Sequence, residues 1–480
     1  MVNIHHSEEA QEKQVCTSCV INEFVTHRVQ KEGTQGRCSY CDRVATTISV
    51  EDLSQWVEKV LTDYFVRTPD RPPDDQSWDL FTEFEREGDP ILDIIEEIVG
   101  LPGSAAQDVG ALLEDRHSDH QSEEEYEFSS TSYYERRDAT GNRWQGEWVE
   151  FVETIKTRER FFSPKAEKLL RSVFGEISSM RTFGGRSLII DAGPGTLIPA
   201  VFRARVFQSI TALNEALIRP DLQLASPPQK LARAGRMNAA GISVFYGADS
   251  DATALAEVRP PVGSDVAIAR FEITRPLRLL DLTALDNIVI EDSVFDPAYE
   301  DRLEKAAFLK TLSRRLSAAI LPDDETLAYL PTQAVADYLS GMNNPTLDGI
   351  IFPSVQSATR GLNIVFFQKA SRVQDLDLPP NAEVGLSLWH IDPDDQWDFE
   401  YQVQERDPAQ SRVSPLGSNA AGIDILPIVP TWTPDFSDKR EVALRVDVKS
   451  VCVHHITGVE IQSRAIKVVR KRVGKGEGDD

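Results

Sequence analysis

The chain has 480 residues, of which 41% are hydrophobic and 27% charged, a globular composition too long for one ordinary core, so two or three domains are expected. Its 51 Lys and Arg against 77 Asp and Glu leave a net charge of −26, which opposes broad binding to nucleic acid or anionic membrane surfaces. No run approaches the roughly eighteen apolar residues of a membrane helix, and "MVNIHHSEEAQEKQ" lacks the charged-then-apolar pattern of an export signal, so a cytoplasmic location is expected.

The first pattern along the chain is "CTSC", Cys16 and Cys19, followed by "CSYC", Cys38 and Cys41. Two Cys-x-x-Cys knuckles at this separation supply four thiolates to one tetrahedral Zn²⁺. Protein fills all four positions, so the metal would be structural rather than catalytic. Residues 1–47 are therefore expected to form a zinc-binding module. His5 and His6 read as a solvated end, and the fifth cysteine, Cys452, as a small buried hydrophobe. The loop between the knuckles, "VINEFVTHRVQKEGTQGR", has few basic residues and no aromatic ladder, which makes nucleic acid an unlikely partner.

Helical spacing follows in "SVEDLSQWVEKVLTDYF", with Ser49 and Asp52 set for a capping-box-like start. A second helix is expected over "DPILDIIEEIVG", with Asp89 as N-cap, Pro90 in the first turn and Gly100 closing it. Residues 114–146 are polar and acidic and read as a long exposed connection. Helices return at "EWVEFVETIK" and at "SPKAEKLLRSVFGEI", where Ser163 caps and Pro164 opens. Residues 48–190 thus read as a helical module.

From "AVFRARVF" onward the pattern changes to short strands with helices between them: "SVFYG", "VAIARFEI", "LRLLDL", "DGIIFPS" and "LNIVFFQ" as strands, "DATALAEVR", 299–319 and "PTQAVADYLSGM" as helices. This is a mixed α+β domain over 191–373. Beyond it, 374–480 reads as a β-rich extension with a disordered tail; His454 and His455 fall on opposite faces of a strand there.

In order, the runs "FRAR", "AGRMNAAGISVFYGA", "TALAEVRP", "LLDLT", "YLPTQAVADYL" and "DGIIFPSV" resemble the RES domain family, and the zinc-knuckle and helical region is similar to the HEPN/RES extension of its longer members. The resemblance implies a fold related to ADP-ribosyltransferases and an activity that destroys NAD⁺ at the nicotinamide glycosidic bond, by phosphorolysis or hydrolysis. It also implies a toxin or defence role for many members, with an antitoxin or regulatory protein as partner. Position by position, the family's functional residues fall on Arg203, Arg236, Tyr246, Glu257 and Ser354. Met237 stands where the family has an aromatic, and Phe202 where many members have tyrosine. "EDRHSDH" is the one place resembling the Arg–His pair of helical nucleases, and Arg116 and His120 stand too close for it.

The chemistry fits these residue types. Nicotinamide leaves NAD⁺ as a neutral molecule, so the cost lies in the ribosyl cation, which a carboxylate stabilises electrostatically. Glu257 flanks the apolar face of its short helix and suits that task; its plainer reading is a solvated helix glutamate. Arg203 and Arg236 offer planar, permanently charged forks for pyrophosphate or for inorganic phosphate as co-substrate, with Arg205 in reserve on the same strand face. Tyr246 suits stacking on nicotinamide, bonding to ribose, or core packing. Ser354 suits phosphate, ribose or a local cap, with Ser357 as its neighbour. Two other functions stay open: a zinc-ribbon binding or regulatory protein with a degenerate RES unit, and a protein ADP-ribosyltransferase. The oligomeric state is open as well.

Overall fold

The computed structural model describes residues 2–69, 86–118, 127–290, 292–318, 320, 322–356, 361–378, 383–391, 398–406, 438–460 and 463–470. His120, Ser357 and the last ten residues of the tail lie outside them. The chain divides into two compact units, each made of two stretches: 1–187 with 284–314, and 188–283 with 315–480.

The first unit is mainly helical. Its helix Val50–Tyr64 starts as the spacing predicts: the Ser49 hydroxyl accepts the Asp52 amide, and Leu53, Val57, Val60 and Leu61 are buried. Pro164–Phe174 likewise opens on a Ser163 cap with proline in the first turn. Helix Ile91–Val99 ends at Gly100, whose φ of 69° is the left-handed cap that glycine adopts without strain. Its N-cap, however, is Pro90 rather than Asp89, because Asp89 and Pro90 pair as a short strand with Tyr133 and Tyr134.

Of 114–146, expected to be an exposed connection, residues 114–117 end a helix that runs over Gly103–His117, Tyr133–Arg136 form a strand, 142–146 begin helix Asn142–Thr157, and 119–126 lie outside the described residues. The helix Gly103–His117 buries Ala105, Ala106, Val109, Gly110, Leu112 and Leu113, together with Asp108, which accepts Lys13 Nζ at 2.9 Å and the Tyr40 hydroxyl at 2.6 Å. One continuous core runs from Ala10 through Val29, Leu53, Ile95 and Leu113 to Val294 and Tyr299, so the cysteine segment and the helices share an interior. Helix Tyr299–Ser317 contributes Phe308 to this unit, its ring 6.2 Å from that of Trp144 and 5.9 Å from that of Trp148.

The second unit is built on an eight-stranded sheet, counted over the described residues. In chain order its strands are β1 (Ile189–Ala192), β2 (Ala200–Phe207), β3 (Phe245–Ala248), β4 (Asp265–Ile273), β5 (Leu277–Asp281), β6 (Gly349–Pro353), β7 (Leu362–Phe366) and β8 (Leu444–His455). Their spatial order is β8-β4-β2-β3-β7-β6-β5-β1, with only the β5–β6 pair parallel. One face carries a core of Val201, Phe245, Phe271, Leu279, Ile364, Phe366 and Leu444 against helix Ile210–Ile218.

The C-terminal stretch is part of this sheet, since β8 pairs along nearly the whole of β4. A hairpin, Glu383–Ile391 with Asp398–Arg406, precedes it. Cys452 is not the buried hydrophobe its isolation suggested. It is exposed on the edge strand, 3.5 Å from His454 Nε2, because an edge strand turns alternate side chains to water. His455 Nδ1 meets Asp265 at 2.9 Å. No helix among the described residues is long and apolar enough to cross a membrane.

Candidate active site

The loop "GRMN" is fixed from both ends. Gly235 and Asn238 form a β-bridge, and the Asn238 amide nitrogen lies 2.9–3.1 Å from the carbonyls of Arg233, Ala239 and Ile242. Helix Leu330–Gly341 supplies the other support: Gln333 donates to the Gly235 carbonyl at 2.9 Å and Thr332 to that of Arg236. A side chain at Gly235 would place its Cβ 2.6 Å from the Tyr246 hydroxyl, so glycine is required by close approach.

Tyr246 stands on β3 with its hydroxyl turned into this loop. The hydroxyl accepts the Met237 amide and donates to Asn238 Oδ1, both at 2.9 Å. Burial pushes the phenol up to about 12, so it stays protonated at neutral pH. Met237 itself is buried, consistent with a packing residue where the family has a ring.

Loop and sheet enclose a cleft of about 480 Å³ whose walls include Phe202, Arg203, Arg236, Tyr246, Glu257 and Asn363. Arg203 on β2 donates to the Tyr246 carbonyl at 3.4 Å and lies over the Phe245 ring, 4.7 Å from its centroid. Burial, with the nearby Arg205 charge, pulls it down to about 10, which leaves it charged at neutral pH. Arg205 is outside the cleft: it donates to the Gln223 carbonyl at 2.7 Å. Arg236 gives its two terminal nitrogens to the carbonyls of Leu316 and Ala318, each at 2.7 Å, and stacks over Tyr329. Burial pulls it below its ordinary value, while Tyr329, Tyr246 and Glu257 act in the opposite sense.

Glu257 is the last residue of the helix Asp251–Glu257, which Ser250 caps by accepting the Thr253 amide. Close contact holds this helix against the residue that precedes β7, for a Cβ at Gly361 would fall 2.0 Å from Thr253 Oγ1. Glu257 Oε1 accepts from the Ser354 hydroxyl and, at 2.8 Å, from Asn363 Nδ2. Ser354 is buried behind the carboxylate and is not part of the cleft wall; its oxygen also accepts the Gln356 amide at 3.2 Å. The cleft therefore combines one anchored carboxylate with two desolvated arginines, an arrangement that opposes a cation to Oε2 and anions to the guanidinium groups. A larger cavity of about 610 Å³ holds none of these residues, and the Asp438 and Arg440 on its wall pair with each other.

Residues 216–399 match the family model of the RES domain, and residues 31–168 match that of HEPN/RES N-terminal domain 1. The chain thus carries a RES domain preceded by a HEPN/RES N-terminal domain. No curated protein matches it. Arg236, Tyr246, Glu257 and Ser354 lie inside the RES match, while Arg203 precedes it. Asn363 was not singled out from the sequence, where it appears as one polar interruption in the apolar run "LNIVFF". That interruption was the available signal, because a buried amide inside a strand needs a partner. Thr332 and Gln333 lay within a quoted run but acquired their role only from the fold.

In the N-terminal domain the four knuckle sulfurs all lie within 4.8 Å of one another, with Cys16–Cys41 at 3.5 Å and Cys19–Cys38 at 3.8 Å. Thiolates about 2.3 Å from a central Zn²⁺ in a tetrahedron stand about 3.8 Å apart, so the donor set fits that ion. Neither His454 nor His455 is part of this cluster or of the cleft wall.

Proposed function

We propose that this RES-domain protein cleaves NAD⁺ at the bond between nicotinamide and ribose, on an ADP-ribosyltransferase-like fold. The supporting observation is the Glu257 carboxylate, anchored through one oxygen in a cleft that also presents Arg203 and Arg236. The C1′–N bond breaks with its electron pair going to nicotinamide, which leaves neutral. The charge that develops on the ribose is met by Glu257, and the two arginines hold the pyrophosphate and, in phosphorolysis, the incoming phosphate. The acceptor oxygen then bonds to C1′: water loses a proton and gives ADP-ribose, whereas inorganic phosphate gives the 1″-phosphate. Tyr246 acts by pinning the Arg236 loop, and Ser354 by holding Glu257. Zn²⁺ on Cys16, Cys19, Cys38 and Cys41 would have a structural role.

Glu257→Gln keeps size and removes charge, so nicotinamide release should fall about 10²–10³-fold in kcat while calorimetry shows NAD⁺ still bound. Unchanged turnover would place the cation-facing charge elsewhere. Product analysis with and without inorganic phosphate separates phosphorolysis from hydrolysis, and transfer of label to protein would mark an ADP-ribosyltransferase instead.

A further inference from the structure

Asn363 occupies an interior position of β7, between Ala248 of β3 and Phe352 of β6 in register, and only 8% of its surface is exposed. Asparagine is a poor strand residue. At this site a leucine or valine would suit the neighbouring Ile364, Val365 and Phe366, all buried. The amide is accounted for by one contact, its Nδ2 at 2.8 Å from Glu257 Oε1.

That contact repeats the work of Ser354 on the same oxygen. Ser354 reaches Oε1 from the end of β6 and Asn363 from the neighbouring strand. Two donors on one oxygen fix the carboxylate plane and leave Oε2 without a partner among the described residues.

We propose that Asn363 is a positioning residue for Glu257: its amide locks Oε1 so that Oε2 alone faces the reacting ribose. This inference rests on the proposed NAD⁺ cleavage, yet its central contact can be tested without turnover. Asn363→Leu removes the donor while keeping the number and branching of side-chain heavy atoms. Nicotinamide release by that variant should lose about 10–100-fold in kcat with KM changed less than about 3-fold, since the lost interaction matters mainly in the transition state.

A purely structural role predicts lower thermal stability with kcat retained in the folded variant, and that result would overturn the proposal. Independently of activity, a crystal structure of Asn363→Leu should show the Glu257 carboxylate turned from its wild-type orientation. A turned carboxylate in an enzyme that releases no nicotinamide supports the positioning contact while removing the NAD⁺ reading. An unmoved carboxylate in an active variant removes the positioning role alone.

Discussion

The hydroxyl of Tyr246 faces the protein rather than the cleft, and this changes what its removal should do. Tyr246→Phe strands the Met237 amide and Asn238 Oδ1, so it should cost about 1–3 kcal/mol of stability, read from the denaturation midpoint, and should weaken NAD⁺ binding as the Arg236 loop loosens. A hydroxyl that served only a bound ribose would leave the stability of the free protein unchanged. At this scale the sequence was a good guide to residue identity and a poorer one to residue role. Arg203, Arg236, Tyr246 and Glu257 all reach one cleft. Ser354, offered as a phosphate or ribose ligand or a cap, accepts the Gln356 amide locally and also donates to Glu257, a contact the sequence did not suggest, and Asn363 went unnoticed. Hydrogen bonds between residues about a hundred positions apart leave no periodic trace in a chain.

Elements followed a similar division. Helices with a capping serine and a continuous apolar face, such as Val50–Tyr64 and Pro164–Phe174, were legible in the sequence, as were the β-branched strands of the sheet. Helix Gly103–His117 was not, because its buried Val109, Leu112 and Leu113 are interspersed with Ala105, Ala106, Gly110 and a buried Asp108, which dilute the apolar pattern. The cysteine segment shares its core with helices Val50–Tyr64, Ile91–Val99 and Gly103–His117, so the metal should matter to more than its own loop. Cys16→Ser should lower zinc from about one ion per chain toward none and lower the melting temperature of the whole helical unit. Metal analysis with a thermal melt checks both. A folded wild-type protein purified without zinc would remove the metal from the account.

For the molecule as a whole, the C-terminal strand is the part whose importance the sequence understated. Read as an appended extension, β8 in fact pairs with β4 along its length and buries Leu444 and Val446. Removing residues 444–480 should expose the edge of β4 and those contacts together, giving a protein that aggregates by light scattering rather than a trimmed, active enzyme. A monodisperse, active truncation would show that the strand is dispensable. The pairing was not legible because a strand's partner across hundreds of residues is set by the sheet, not by its own alternation.

The division of the chain into interleaved stretches also has a consequence for its birth on the ribosome. Residues 284–314 complete the helical unit, and they emerge only after 188–283 has been made. At synthesis rates of about 5–20 residues per second, the knuckles and first helices wait many seconds with the Val294 and Tyr299 side of their core uncovered. The sheet waits longer still, for β8. The helical unit is complete only at residue 314 and the sheet only at β8, so the nascent chain should depend on chaperones until almost its last strand, and a fragment starting near residue 190 would carry 284–314 with nothing to fold against.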